Sequence, residues 1–209
     1  MLALALSAII TAQAPGVHPI SGRRFAPVMG YQGADWLERT ERDEEEAPDV
    51  ALRVLNISKG ASVADIGAGS GYITEKLAAR VGSTGMVFAN DVQPQMLNIL
   101  ARRLDRSKIT NVTLIEGTLD DPRLPLASVD LVLMVDVYHE LEDGPGMLAA
   151  LRRALRPGGR MVIVDRAAAE FDPAAHAIPE TRVVADAAAA GLRVRERVDL
   201  PRQFALVLE

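Results

Sequence analysis

The sequence predicts an α/β protein with a doubly wound, mostly parallel sheet whose last strand is antiparallel. Three observations carry that expectation. Short, near-continuous apolar runs alternate with amphipathic stretches of helical period, the pattern of βαβ units whose strands are covered on both faces. The palette agrees: 49% of the 209 residues are hydrophobic, yet only one Trp, three Tyr and four Phe occur, so Leu, Val, Ile and Ala must fill the core. Residues 194–198 and 204–208 are joined by Asp199-Leu200-Pro201-Arg202-Gln203 alone. That link is too short for a helical crossover, so these two strands run antiparallel.

Residues 1–14 carry no charge and end in Ala12-Gln13-Ala14 before Pro15. This is the shape of the apolar region and cleavage site of an export signal, although the usual basic start is missing and Arg23 is the first basic residue. The alternatives are a misassigned start codon or a short apolar arm. With a signal the protein is exported or periplasmic; without one it is cytoplasmic. The run is shorter than the roughly 20 apolar residues a spanning helix needs, so no membrane span is expected. Residues 15–47 are polar, with the acidic cluster Asp43-Glu44-Glu45-Glu46, and read as an N-terminal arm or cap before a domain over 48–209. Within it, Tyr31 to Trp36, with Arg39 and Arg42, either folds over the mouth of the site or is an exposed arm.

Pro48 opens a helix with Leu52 and Leu55 on one face, stopping near Lys59-Gly60. Apolar runs at 63–66, 86–89, 112–115, 129–135, 161–164 and 204–208 are the strands. Between them Ile73, Leu77 and Val81 share a helical face; so do Leu97, Leu100 and Leu104, and so do Leu148, Leu151 and Leu155. Asp143 caps the last of these, Pro145 sits in its first turn, and Pro157-Gly158-Gly159 stops it. A further helix over 180–190 ends at Gly191.

Composition narrows the chemistry. Twenty-three basic against 28 acidic residues leave a net charge of −5, which argues against a nucleic-acid-binding face. Arg152, Arg153, Arg156 and Arg160 cluster near a helix C-terminus, where cations complement the dipole. The absence of cysteine excludes disulfides, thiolate-held metals and a Cys nucleophile. No metal is expected.

The densest signal is the D-x-G-x-G-x-G run from Asp65 to Gly71, between a strand and a helix. Alternate glycines let the backbone turn tightly and let a ligand approach where a Cβ would clash. In an open α/β sheet this turn lies at the carboxyl end of a strand, where ligands bind. Asp65 would repel a pyrophosphate and attract an amino group or sulfonium; the plainer reading is a tight turn with a capping Asp. Asp91 ends the next strand, 20 residues after Gly71, the spacing at which a carboxylate accepts hydrogen bonds from a ribose diol. Alone, it would be an acidic residue favoured at a helix N-terminus.

Asp136, Tyr138 and His139, with Glu140, follow a strongly apolar strand and are expected at the site mouth, so the first three are candidate catalytic residues. His139 is placed to act as a base. Equally, Asp136 and His139 satisfy backbone groups or position the cofactor. His176, before the last helix, is a second histidine for an acceptor pocket.

Taken together these residues resemble a family. Asp65 to Gly71, Asp91, Gly117-Thr118-Leu119-Asp120-Asp121 and Leu155-Arg156-Pro157-Gly158-Gly159 are similar to the motifs of class I S-adenosylmethionine-dependent methyltransferases, of the broad type that includes quinone-biosynthesis enzymes. The resemblance covers residues 48–209. It implies a seven-stranded, Rossmann-like sheet, S-adenosylmethionine as cofactor and methyl transfer to an acceptor that is most simply a small molecule. It places Asp65, Gly67, Gly69 and Gly71 at the methionine part of the cofactor, Asp91 on the ribose, Val92 against adenine, and Thr118 and Leu119 at its edge. Many relatives carry Gly-Asp where this chain has Gly117-Thr118, and Asp120 is then the residue that substitutes at the adenine amine. A nicotinamide-dependent oxidoreductase would also use a glycine turn and an Asp, but Gly71-Tyr72 breaks the G-x-G-x-x-G spacing. A catalytically silent cofactor-binding module is the other alternative, since methyl transfer has no obligatory catalytic side chain.

Overall fold

Parallel strands entering one sheet from both directions fix where a ligand can sit. The computed structural model describes residues 16–41, 52, 55–200 and 202–209. The export-signal segment, the acidic cluster at 43–46, Arg42 and most of the helix expected from Pro48 lie outside these residues. Leu52 is helical, and both Leu52 and Leu55 are buried.

In chain order the elements begin with β1 (Gly16–Val17) and β2 (Arg24–Phe25), an antiparallel pair, and a one-turn helix α1 (Ala34–Leu37). The alternating part follows as β3 (Ser62–Ile66), α2 (Tyr72–Val81), β4 (Met86–Asp91), α3 (Pro94–Ser107), β5 (Val112–Glu116), β6 (Val129–Val135), α4 (Gly144–Ala154) and β7 (Leu155–Ala167). It closes with β8 (Ala177–Ile178), α5 (Glu180–Ala189), β9 (Val194–Leu200) and β10 (Gln203–Leu208). The main sheet runs β5-β4-β3-β6-β7-β10-β9, with the two-residue β8 beside β7. Strands β3 to β7 pair in parallel, and β10 is antiparallel to both β7 and β9. The seven-strand path and the antiparallel last strand match the expectation.

Period-two alternation explains how both faces are covered. Leu131 and Leu133 pack with Val63, Ile73 and Leu77 on one face, while Val132 and Met134 pack with Leu148, Leu151 and Val183 on the other. Helix α4 starts as its sequence dictates: Asp143 accepts a hydrogen bond from the Gly146 N–H at 3.0 Å, and Pro145 lies in the first turn. It stops one residue before Leu155, which is extended (ψ 137°) and pairs with Val129 in the sheet. Leu155 therefore belongs to a strand and not to the helical face its spacing suggests. No helix among the described residues is long and apolar enough to cross a membrane.

The chain goes outward from β3 to β4 and β5, then returns to β6 on the other side of β3. Strand order reverses between β3 and β6, which opens a crevice at their carboxyl ends. The N-terminal arm lies across that crevice. Arg23 is buried, pairs with Asp186 of α5, donates from Nε to the Leu141 carbonyl at 2.8 Å and stacks over the Tyr138 ring. The Ala26 N–H donates to the His139 carbonyl at 2.9 Å.

Candidate active site

The turn after β3 forms the floor of the cleft. Gly67, Gly69 and Gly71 all have positive φ, at 68°, 54° and 94°, a region that L side chains enter only with strain. A Cβ on Gly67 would lie 2.4 Å from Val137 Cγ2. Gly67 and Gly69 line the cleft, whereas Gly71 does not, and a Cβ there would meet Leu100 Cδ1 at 2.1 Å. Gly71 thus makes room for the packing of α3 against the turn.

Asp65 and Asp91 are both buried in this floor. Asp65 accepts a hydrogen bond from the Thr74 hydroxyl at 2.6 Å. Asp91 accepts from the Gly69 N–H through Oδ2 and from the Gln93 N–H through Oδ1, both at 2.8 Å. The Val92 N–H also donates to Asp91, and a carboxylate with about four lone-pair directions can still accept from a ligand. Burial pushes the Asp91 carboxyl above its usual range, against the opposing pull of those backbone donors. Beside them the hydroxyl of Ser70 is buried and, among the described residues, has no hydrogen-bond partner.

Val92, Thr118 and Leu119 line the next stretch of the cleft. Asp120 does not. It accepts from the Thr118 hydroxyl at 2.6 Å while the Thr118 N–H donates to the Asp121 carbonyl at 2.8 Å. The turn closes on itself, and the Asp120 carboxylate is engaged by the Thr118 hydroxyl of its own turn.

The arm supplies the facing wall through Val28, Met29, Trp36 and Leu37. Gln93 holds it from both sides, accepting from the Tyr31 N–H at 3.0 Å and donating to the Met29 carbonyl at 2.9 Å. Arg39 stacks on the Trp36 ring at 3.7 Å. Through Val28, Met29, Trp36 and Leu37 the described part of the arm lines the mouth of the cleft.

At the other end, the chain leaves β6 through Asp136, whose φ is +54°, and makes a tight turn over Tyr138–Glu140. Successive residues of so tight a turn point three ways. Tyr138 points inward, wholly buried, and its hydroxyl donates to Asp186 Oδ2 at 2.8 Å. Burial and the Asp186 charge push the phenol pKa up. Tyr138 is a core residue and not a group at the site mouth. Asp136 and His139 do line the cleft, and Asp136 accepts from the Gln203 amide at 2.9 Å.

His139 is 2% exposed and engaged through both ring nitrogens. Nδ1 lies 2.8 Å from Asp165 Oδ1, and Nε2 lies 3.1 Å from His176 Nδ1. An ionised carboxylate only accepts, so Nδ1 carries the proton toward Asp165. Burial disfavours the imidazolium, but Asp165, with Glu140 and Asp136, outweighs it and raises the His139 pKa. His176 moves the opposite way, lowered by burial and by its histidine neighbour. Glu140 accepts from the Met29 N–H at 3.2 Å, and burial pushes its carboxyl up to about 7.

Sequence reasoning missed Asp165, Gln93 and Arg166, the last two of which line the cleft. Asp165 had a signal: like Asp91, it directly continues an apolar strand at its carboxyl end.

Residues 63–159 match the family model for the methyltransferase domain. A ubiquinone/menaquinone biosynthesis C-methyltransferase of Psychromonas ingrahamii is 29% identical over 118 residues, covering 56% of this chain and 47% of that protein. A demethylmenaquinone methyltransferase of Tropheryma whipplei is 34% identical over 115 residues, covering 55% and 46%. The chain thus spans about half the length of the curated relatives it matches. Among solved structures, a SAM-dependent methyltransferase from Aquifex aeolicus superposes with a TM-score of 0.79 at 26% identity, covering 86% of this chain and 98% of that one. In its methyltransferase-domain match over residues 63–159, its sheet order, its glycine turn and the strand-end carboxylate of Asp91, the chain is similar to the class I S-adenosylmethionine-dependent methyltransferases.

Proposed function

We propose that the protein is an S-adenosylmethionine-dependent methyltransferase that acts on a small-molecule acceptor. The observation that carries this reading most is Asp91, a buried carboxylate at the end of β4 that both props the Gly69 turn and keeps lone pairs for a ribose diol. The surroundings fit the cofactor as well. The Ser70 hydroxyl is a buried donor awaiting an acceptor, and Gly67 and Gly69 form a cradle without side chains. When bound, the cofactor supplies an electrophilic methyl group on a sulfonium. Asp65 and the Gly67–Gly69 backbone hold its amino-acid end, Asp91 the ribose, and Val92, Thr118 and Leu119 the adenine.

The chain's own residues do the rest by positioning. Val28, Met29, Trp36 and Leu37 cover the cleft and keep water from the reacting atoms. Asp165 fixes the His139 tautomer, and His139 in turn orients His176. We infer that His139 positions rather than deprotonates, since both its nitrogens are engaged. Alignment alone is worth about 7–11 kcal/mol in favourable cases, so an in-line displacement needs little more. The relatives named for quinone biosynthesis support a small-molecule acceptor here.

Calorimetry with S-adenosylhomocysteine, S-adenosylmethionine and NADH tests the reading. Either sulfur compound should bind and raise the Tm by mass action, and NADH should not. A shift with NADH alone, with neither sulfur compound binding at millimolar concentration, overturns it.

A further inference from the structure

Three side chains from two separate segments meet at the acceptor end of the cleft. His139 and Glu140 follow β6, His176 precedes β8, and one ligand atom from each lies within 4.8 Å of the others. The two histidine nitrogens are 3.1 Å apart with their rings edge to face at 81°. They converge on one point from different planes. That separation suits two nitrogens each bound at about 2.0–2.1 Å to one tetrahedral ion.

Three further observations point to a ligand there. First, the far side of His139 is built as that of a metal-bound histidine is: Nδ1–H donates to Asp165, a carboxylate that is wholly buried, which presents Nε2 as the lone-pair nitrogen. Second, His176 has a φ of +50°, a conformation that costs a non-glycine residue energy and persists where the surroundings impose it. Third, the Met29 N–H holds the Glu140 carboxylate in place through Oε1, with one of its oxygens within 4.8 Å of a nitrogen of each imidazole. Asp136, Glu140 and Asp165 bring negative charge to this end of the cleft, and Arg166 brings positive charge.

We propose that His139 Nε2, His176 Nδ1 and the Glu140 carboxylate bind one first-row divalent cation of the zinc or cobalt type, with a coordination position open to the cleft. Two imidazoles and one carboxylate select such ions over magnesium or calcium, which take oxygen donors. This departs from the expectation that no metal is present. On the methyltransferase reading, on which this further step rests, the open position takes an acceptor bearing a hydroxyl or thiol. Coordination lowers its pKa: the O–H or S–H bond breaks, the proton passes to solvent, and the electron pair stays on the acceptor as the nucleophile.

The test uses untagged full-length protein stripped with chelator and titrated with Co²⁺. The expected result is one equivalent bound, with the visible absorption of low-coordinate cobalt, displaced by one equivalent of Zn²⁺. His176→Ala and Glu140→Gln should each weaken cobalt binding at least tenfold. Asp165→Asn should weaken it about ten- to hundredfold, as outer-shell partners do. His18→Ala, at the third histidine of the chain, should leave binding unchanged. Sub-stoichiometric cobalt without a visible spectrum, or binding that His176→Ala leaves intact, overturns the proposal and leaves the His139–His176 contact as a hydrogen bond only. Titrating the chelated wild type with S-adenosylhomocysteine separates the two readings, because its failure removes the methyltransferase assignment without touching the cobalt result.

Discussion

At the glycine-turn end of the cleft, the carboxylates are tied to backbone N–H groups and to the Thr74 hydroxyl over short stretches of chain. The Gly69–Asp91 bond spans 22 residues and the Thr74–Asp65 bond nine. At the His139 end the contacts are made mainly by side chains and reach further along the chain, 26 residues to Asp165, 37 to His176 and 111 from the Glu140 carboxylate to the Met29 backbone N–H. The first end is specified by local backbone geometry and changes little when side chains vary. The second depends on which elements pack together, so a single substitution propagates. A fold can keep one end constant for a cofactor while the other is altered for different acceptors.

The largest expected break in that contrast is His139→Ala. It leaves Asp165 buried without its imidazole, and losing one partner of a buried pair costs about 3–5 kcal/mol. A Tm drop of many degrees, with S-adenosylhomocysteine affinity of the remaining folded protein within a few-fold of wild type, is the positioning outcome. Normal stability with turnover lowered about a hundredfold and a histidine ionisation lost from the pH–rate profile would make His139 a base instead.

Asp91→Ala probes the other end and should act on binding more than on folding. Loss of charge-assisted hydrogen bonds costs about 1.5–3 kcal/mol, roughly ten- to hundredfold in cofactor affinity. Calorimetry on a variant with unchanged circular dichroism checks it. Unchanged affinity would move the ribose contact elsewhere.

Tyr138→Phe should cost about 1 kcal/mol in denaturant melts, since Asp186 loses one of its donors, and should leave kcat of the folded enzyme alone. A large kcat loss at normal stability would return Tyr138 to the chemistry.

The smallest effect is expected for Glu75→Gln. Burial opposes the charge of Glu75, but the Ser107 hydroxyl and Arg103 outweigh it and hold its carboxyl low. A lowered folded pKa gives stability that is present above the unfolded value, about 4.3, and disappears as pH falls through the folded one. Glu75→Gln should therefore cost about 0.5 kcal/mol at neutral pH for an ion pair still partly open to solvent. The difference from wild type should vanish in strong acid, as read by melts across pH.

The same contrast explains what the sequence disclosed. Gly67 and Asp91 were legible because their roles follow from neighbours in the chain: a turn that needs positive φ, and a strand that ends at the sheet edge. Gly71 was legible as a turn glycine, but its reason is Leu100 on another helix, which no local pattern reports. Tyr138, expected at the site mouth, lies in the core for a physical reason. In a tight turn the direction of each side chain depends on torsions that the residue types leave open. The His139–Asp165–His176 contacts require knowing that β7 lies beside β6 and that the segment before β8 folds back, facts of sheet order rather than spacing.

The ion pair between Arg23 and Asp186 joins residues 163 apart in the chain. On a ribosome adding about 5–20 residues each second, Arg23 waits about 8–30 s for its partner to be made. For the later part of that interval β3, β4 and the glycine turn are already synthesised, while the arm that covers them has no anchor on α5. The nascent protein therefore exposes a finished floor without its cover, and its window for proteolysis or misassociation closes only when the last fifth of the chain emerges.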